Sequence, residues 1–434
     1  MPGPARRHDP VTRPGHDVAD ETTGQTPVTD SPFGANAVTL RLLGALAVVA
    51  LFFGAALNLA GGTGLGALSG VSASDFDMFH VVARLALAGL IEEAYDLDAM
   101  LAAQIAMGGV PSPMTWTYPP PFDLALAPLG TMGRDAAYAV FAATSLALYL
   151  VGIARLGGRH AGVALFAALP AAVMSVSSGQ NGLLMAGIAA LACDAALRGR
   201  DGRAGAVLGL LVVKPHLGLG LGLWCLAAGR WRMLASGAAV AALACAGSVA
   251  AFGADLWGVF LAATGEAGAQ LAAGAYPAHR MASLHAALTS LGLPHGTAIA
   301  LQAAAGLCAA AAVAIAARRL APRRALAVAL FATPLFSPYL YDYDLALYGP
   351  ALALLLPELD RAGRRALVLP AGALAWIAGG TGLLQNARGA EEGLVAPVTG
   401  AGFAALALAV LATAALWQTR GAPGAATQRQ PAHS

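Results

Sequence analysis

Charged side chains are scarce in this sequence. They make up 11% of the 434 residues, while hydrophobic residues make up 58% and the mean hydropathy is +0.67. A soluble protein of this length could not expose so few charges and stay in solution, whereas long apolar runs of this kind cross bilayers. The composition therefore excludes a soluble enzyme and indicates a polytopic integral membrane protein.

Familiar catalytic and metal-binding patterns are also missing. The four cysteines form no CxxC or Cys/His pattern, so we expect neither a disulfide framework nor a metal site. No Walker loop, GxSxG, HExxH or EF-hand pattern occurs. A soluble nucleotide-binding enzyme or a protease therefore has no support from sequence motifs.

Apolar stretches are what the sequence has in abundance. They predict about twelve spans, although several are shorter than the ~20 residues that a straight helix needs to cross a bilayer. Two of them form either a pair of short helices or one kinked passage broken by Pro215. The stretches lie at about 39–60, 136–154, 161–178, 181–197, 204–213, 217–229, 233–252, 298–317, 325–337, 343–357, 366–385 and 394–417.

Arginine clusters set the expected orientation, because short arginine-rich loops stay in the cytoplasm. The intervening connections carry acids instead, so both termini are predicted to be cytoplasmic, in a plasma (inner) membrane protein whose site faces outside. The clusters are Arg155/Arg159, Arg198/Arg200/Arg203, Arg230/Arg232, Arg318/Arg319/Arg323/Arg324 and Arg361/Arg364/Arg365.

The same pattern predicts the domain organisation. We expect one all-α transmembrane domain, residues 38–417, between disordered cytoplasmic tails at 1–37 and 418–434. Two outer loops, 61–135 and 253–297, are too long to be turns, and such loops commonly carry function. In the first, apolar residues from Phe79 to Leu90 recur at helical spacing, which predicts a helix lying along the membrane interface, and Leu124 to Leu129 predicts a second one.

Two aspartates at the start of this first loop are candidates for catalysis. Asp75 and Asp77 follow the first span, and a carboxylate beside apolar groups at the membrane surface can act as a base on a hydroxyl. The simpler interpretation is structural, since Ser74 and Asp75 would also cap a helix that starts here.

Other polar residues gather on the same predicted face. Lys214 is the only lysine beside twenty-four arginines, and an ammonium within the membrane favours an anion such as a phosphate as partner, or else snorkels to the interface. Singly, each of the others is typical of a helix-end turn, but together they favour a shared cavity. They are Tyr118, Gln180, Asn181, His216, Arg280, Tyr341 and Asp344.

The order of these motifs resembles that of glycosyltransferase family 87, a branch of the GT-C superfamily of polyprenol-phosphate-sugar-dependent transferases. The resemblance covers roughly residues 40–360. It depends on an Asp-Phe pair after the first span, then Tyr95, Tyr118-Pro119-Pro120, Gly179-Gln180-Asn181, Lys214-Pro215 and Ser337-Pro338.

The resemblance implies a helical bundle of GT-C type with interfacial helices in the first outer loop. It also implies transfer of a sugar, with mannose expected, from a polyprenyl-phosphate donor to a lipid or glycan acceptor, with inversion. Asp75 matches the family's catalytic aspartate, with Asp77 as the second candidate acid, and Lys214 and Arg280 match positions suited to the donor phosphate. No metal or other cofactor and no nucleic acid is expected.

The sequence departs from the mannosyltransferase pattern at two places, at Tyr341 to Asp344 and at Arg280 to Ser283. These departures bear on which sugar and which acceptor are used, and not on the class of enzyme. Two other functions remain open from the residues alone. A transporter or lipid flippase would favour internal repeats and charges in mid-bundle, and a non-catalytic subunit of an envelope assembly would look much the same as an enzyme.

Overall fold

The computed structural model describes Met1, Gly3 and residues 37–60, 75–107, 115–388 and 398–418. These residues form an all-helical bundle, which confirms the predicted fold class. Within the described ranges no strand occurs, and a single antiparallel bridge joins Met281 to Tyr341. Ser74 and most of the expected tails lie outside the described residues.

The described residues contain eighteen α-helices. The first half contains α1 (Ala37–Ala60), α2 (Asp75–Ala88), α3 (Leu97–Ala106), α4 (Pro120–Leu126), α5 (Arg134–Gly157), α6 (Ala161–Ala167), α7 (Leu169–Ser178), α8 (Gly182–Leu197) and α9 (Asp201–Gly209). The second half contains α10 (Leu219–Ala227), α11 (Trp231–Phe252), α12 (Asp255–Ala272), α13 (Leu284–Ser290), α14 (His295–Arg319), α15 (Pro322–Ala332), α16 (Tyr348–Arg361), α17 (Val368–Ala387) and α18 (Ala401–Gln418).

Six helices in the described residues are long and apolar enough to cross a membrane, rather than about twelve. Several predicted spans form shorter helices, and α15 and α16 are buried over most of their length against other helices. Hydropathy does not distinguish an apolar helix enclosed by protein from one that faces lipid. The number of predicted spans is therefore larger than the number of candidate spans in the structure. The six are Val38–Leu59, Arg134–Ala167, Trp231–Phe252, His295–Arg319, Arg365–Gln385 and Ala401–Gln418.

The residues from Asp201 to Arg230 form a helical hairpin, so the two-helix alternative for this region holds. The outgoing limb is α9 followed by the 3₁₀ turn Leu210–Val213, and the returning limb is the 3₁₀ turn Pro215–Gly218 followed by α10. Arg230 Nη1 lies 3.4 Å from Asp201 Oδ2, so the two ends of the hairpin meet. At rises of about 1.5 and 2.0 Å per residue, the outgoing limb is roughly 20 Å long. Lys214 therefore lies at the tip, about 20 Å from the base.

All five arginine clusters meet at one end of the bundle, here called the arginine end. The carboxylate of Glu358 contacts arginines of two clusters, and Asp360 joins two clusters as well. Asp194 joins Arg155 to Arg198, which adds a fourth cluster, and Arg230 at the base of the hairpin adds the fifth. The ion pairs are Arg323, Arg324 and Arg361 with Glu358, Arg159 and Arg365 with Asp360, Arg155 and Arg198 with Asp194, and Arg230 with Asp201.

The segment between α1 and α5 forms the predicted helices. In α2, Phe79, Val82 and Leu85 are buried in one apolar face, while Leu90 follows the helix and is exposed. The run from Leu124 to Leu129 lies in α4 and the 3₁₀ turn Ala127–Thr131 that continues it. These short helices pack on the bundle and bring their polar residues to one cavity.

Candidate active site

A cavity of about 350 Å³ lies where the segment between α1 and α5 meets the hairpin tip. Five of the predicted site residues line it, namely Asp75, Tyr118, Gln180, Lys214 and His216. The rest of its wall comes from α2, residues 115–119, Val213, Pro215, α12, residues 337–339 and Tyr343. The structure thus brings together residues that are up to 268 positions apart in the sequence.

Lys214 is the central cation of this cavity. Its Nζ atom donates to Asp344 Oδ1 at 2.6 Å, and Asn181 Oδ1 lies 3.5 Å away. The ammonium also lies over the rings of Tyr343, at 4.8 Å, and Tyr118, at 5.6 Å. The side chain is 9% exposed, so the pair with Asp344 is a buried one. The expectation that Lys214 needs an anion is met within the protein by Asp344.

Arg280 forms a second buried cation–carboxylate pair. Its Nη2 and Nε atoms lie 3.4 and 3.5 Å from the two oxygens of Asp342, which is 1% exposed. The guanidinium also lies 5.8 Å from the centre of the Tyr343 ring. Arg280 is absent from the residues that line the cavity. It therefore lies behind Tyr343, outside the cavity wall.

A tight turn carries Gln180 and Asn181 into the site. Gly179 ends α7 with φ +72°, a left-handed conformation that favours glycine, and its α-carbon packs against Phe76. Gly182 then starts α8 so close to the Tyr343 carbonyl that a Cβ atom would collide with it. Gln180 accepts a hydrogen bond from the Tyr118 hydroxyl at 3.0 Å. The turn therefore ties the cavity wall on one side to the Tyr343 segment on the other.

Asp75 is the first residue of α2 and lines the cavity. Its Oδ2 atom is shielded from solvent and has no hydrogen-bond partner among the described residues. Burial raises the pKa of this carboxyl above its usual range, while Arg280 and the Gln180 side chain oppose the rise. A carboxylate with an unengaged oxygen and a raised pKa is well suited to accept a proton.

Asp77 is engaged elsewhere. Its Oδ1 atom accepts from Arg134 Nε at 2.7 Å, and Arg134 Nη2 also donates to Asn58 Oδ1 at 2.8 Å. Asp77 does not line the cavity. It therefore joins α2 to α1 and α5, a structural contact that differs from the setting of Asp75.

The other predicted residues surround the Lys214–Asp344 pair. His216 lines the cavity, and its Nε2 atom has no hydrogen-bond partner among the described residues. Tyr341 lies behind the wall, stacked on Tyr343 with ring centres 5.2 Å apart and planes 2° from parallel. Asp344 accepts from the Tyr341 backbone N–H at 3.4 Å, so the same carboxylate holds this segment in place.

Sequence reasoning missed a buried carboxylate beside the cavity. Asp123 is 0% exposed on α4, and it accepts from Trp116 Nε1 at 2.9 Å. The Tyr95 hydroxyl lies 2.6 Å from Asp123 Oδ2 and 2.9 Å from the Tyr118 carbonyl oxygen. Burial raises the pKa of Asp123 to about 7, against the opposing hydrogen bonds of Tyr95 and Trp116. An aspartate five residues after Tyr118, within an apolar helix, was the available signal.

Comparison with known proteins agrees with this architecture. The sequence profile of glycosyltransferase family 87 matches residues 116–338, slightly more than half of the chain. The matched region contains Tyr118, Gln180, Lys214 and Arg280, while Asp75 precedes it. Searches of the curated proteins and of the solved structures gave no match. The chain is thus a helical membrane protein that belongs to glycosyltransferase family 87.

Proposed function

We propose that this protein transfers one sugar, with mannose expected, from a polyprenyl-phosphate donor to a lipid or glycan acceptor. One observation carries the proposal. The cavity holds a carboxylate with an unengaged oxygen, Asp75, together with the buried ammonium of Lys214. Transfer between a hydroxyl and a sugar phosphate needs these two functions, a proton acceptor and a cation for the leaving phosphate.

The proposed reaction is a single displacement at the anomeric carbon with inversion. The acceptor oxygen forms a bond to that carbon as the bond to the phosphate oxygen breaks, and Asp75 takes the acceptor proton. The phosphate leaves with the bonding electron pair and an added negative charge. Lys214 donates to it from the cavity wall, and Arg280 adds positive charge from behind Tyr343.

The pairing of both cations does not prevent this role. An ammonium has three hydrogens to donate. Lys214 directs one to Asp344 at 2.6 Å, and the contact to Asn181 is long at 3.5 Å. A donor phosphate can therefore add to the existing partners. The two carboxylates of Asp342 and Asp344 keep the cations in fixed positions before the donor arrives, which is the preorganisation that electrostatic catalysis requires.

The aromatic wall supports a sugar substrate. Trp116, Tyr118, Tyr339 and Tyr343 line the cavity and present apolar faces together with polar edges. These walls also limit the access of water, which would otherwise compete with the acceptor hydroxyl. Cavity shape, rather than any nucleotide-binding motif, would select the donor.

We propose the orientation from the same geometry. The five arginine clusters share the arginine end, and short arginine-rich loops stay in the cytoplasm. The hairpin carries Lys214 roughly 20 Å away from that end. The cavity would then open toward the non-cytoplasmic side of the plasma membrane, with both termini in the cytoplasm.

The test compares Asp75→Asn with Asp77→Asn in purified protein. Each variant is incubated with a panel of labelled polyprenyl-phosphate sugars and a host lipid extract, and turnover and unfolding are measured together. Loss of a general base lowers the rate by about 10²–10⁴-fold. Asp77→Asn loses a partly exposed ion pair, worth about 1 kcal/mol or less, and should keep turnover. Wild-type turnover in Asp75→Asn, or loss only in Asp77→Asn, would show that the base is misassigned.

A further inference from the structure

The buried carboxylate of Asp123 lies directly behind residues that line the cavity. Trp116 and Tyr118 line the cavity, and both are tied to Asp123, the first through its indole N–H and the second through Tyr95. Tyr118 in turn donates to Gln180 and lies under the Lys214 ammonium. Asp123 is therefore connected to the site by two short chains of contacts, although it does not line the cavity itself.

Counting hydrogens decides the protonation state that fits these contacts. The Tyr95 hydroxyl has one hydrogen but lies within 2.9 Å of two acceptor atoms, Asp123 Oδ2 and the Tyr118 carbonyl oxygen. If Asp123 is ionised, one of these acceptors has no donor from Tyr95. If Asp123 is protonated on Oδ2, it donates to the Tyr95 oxygen, and Tyr95 donates to the Tyr118 carbonyl. Only the protonated state matches every group, and buried groups are nearly always matched.

The surroundings agree with a neutral acid. Asp123 is fully buried, and none of its hydrogen bonds or ion pairs in the described residues involves a cation. A buried carboxylate with no positive partner is costly to ionise. The helices packed against α4 are α2, α11 and α12. None of their titratable side chains forms a hydrogen bond or an ion pair with Asp123 in the described residues. These side chains are Asp75, Asp77, His80, Arg84, Arg232, Cys245, Asp255 and Glu266.

We propose that Asp123 is a positioning residue held as a neutral carboxylic acid, and that its relay through Tyr95 fixes the Trp116–Tyr118 wall of the cavity. Ionisation releases the Oδ2 proton to solvent, and Tyr95 then turns its hydrogen toward Asp123. The Tyr118 carbonyl loses its donor, and the wall loosens. The effect on sugar transfer depends on the proposed function, whereas the protonation state of Asp123 does not.

The variant Asp123→Asn separates the two protonation states. Its amide NH₂ can donate to Tyr95 while its amide oxygen accepts from Trp116, so it reproduces the neutral acid and cannot ionise. Tyr95→Phe is the second variant, because it removes the relay while leaving the carboxyl in place. His80 lies on α2, which packs against the helix of Asp123, so His80→Gln in both backgrounds is the control.

The measurement is reversible unfolding in mixed SDS micelles from pH 4 to pH 8.5. The result is the unfolding equilibrium constant of the wild type divided by that of Asp123→Asn. A folded acid with a raised pKa gives stability that is complete below about pH 4 and is lost as pH rises to about 7. The unfolding equilibrium of the wild type should rise up to about tenfold per pH unit in this window, relative to the variant, and level off above it.

The accompanying functional readout is the donor KM. It should rise above pH 7 in the wild type, stay constant with pH in Asp123→Asn, and be raised at every pH in Tyr95→Phe. An Asp123→Asn protein that is less stable than wild type by a constant factor at all pH values would overturn the proposal, since an ionised carboxylate would then be the native form. If no donor is ever turned over, the unfolding comparison still decides the protonation state.

Discussion

Removing the charge of Lys214 should separate its structural role from its role in donor binding. Lys214→Met leaves the Asp344 carboxylate, 2% exposed, without its 2.6 Å partner. Breaking a buried pair by removing one member costs about 3–5 kcal/mol, because an uncompensated charge remains. The double variant Lys214→Met/Asp344→Leu removes both charges and should recover most of this loss.

The coupling between the two substitutions is the quantity to measure. Unfolding free energies of the wild type, both single variants and the double variant complete a double-mutant cycle. If each single variant loses about 3–5 kcal/mol of unfolding free energy and the double variant loses little, the coupling energy between the two side chains is several kcal/mol. Additivity within about 0.5 kcal/mol would refute the buried ion pair.

Donor affinity is measured on the same four proteins. A hydrogen bond to a charged group contributes about 1.5–3 kcal/mol, so Lys214→Met should weaken donor binding by roughly 10- to 100-fold. Lys214→Arg should recover part of it, since a guanidinium differs in geometry. The matched control is Arg324→Met, whose pair with Glu358 has the same 2.6 Å distance and similar burial at the arginine end. It should lower stability without changing donor affinity. Unchanged affinity in Lys214→Met would leave Lys214 a structural residue only.

Two further predictions concern orientation and pH. In a variant lacking the four native cysteines, Ala273→Cys should react with an impermeant thiol reagent in intact cells, whereas Ala321→Cys should react only after permeabilisation; the reverse result would invert the topology. Burial raises the pKa of Asp75 and Arg280 lowers it, so Arg280→Gln should move the acid limb of the kcat/KM profile to higher pH, because the base must be ionised to work. If the acid limb does not move in Arg280→Gln, Arg280 does not influence the ionisation of the catalytic base.

The sequence predicted part of the cavity wall, since five of the residues that it grouped line the cavity, whereas Asn181, Arg280, Tyr341 and Asp344 do not. Asp75, Tyr118, Gln180, Lys214 and His216 were grouped because arginine clusters assigned them to one face, and all five line one cavity. The helices themselves were also predictable, since apolar periodicity is a local property.

The ion-pair partners could not be predicted in the same way. Lys214 pairs with Asp344, 130 positions later, and Arg280 with Asp342, 62 positions later. Nothing local distinguishes Asp344 from Asp342 as the partner of Lys214, because the choice depends on how the helices pack. Asp123 was missed for a related reason, since a single aspartate in an apolar helix does not reveal which hydroxyl and indole will surround it.

The separation of Lys214 and Asp344 along the chain also has a consequence for biosynthesis. Translation proceeds at about 5–20 residues per second, so the 130 intervening residues take roughly 7–26 s to be made. Throughout that interval the hairpin tip has been synthesised but its carboxylate has not. The nascent hairpin must therefore keep its ammonium hydrated, or on a temporary partner, until the segment that carries Asp344 emerges. The buried ion pair at the cavity forms only then.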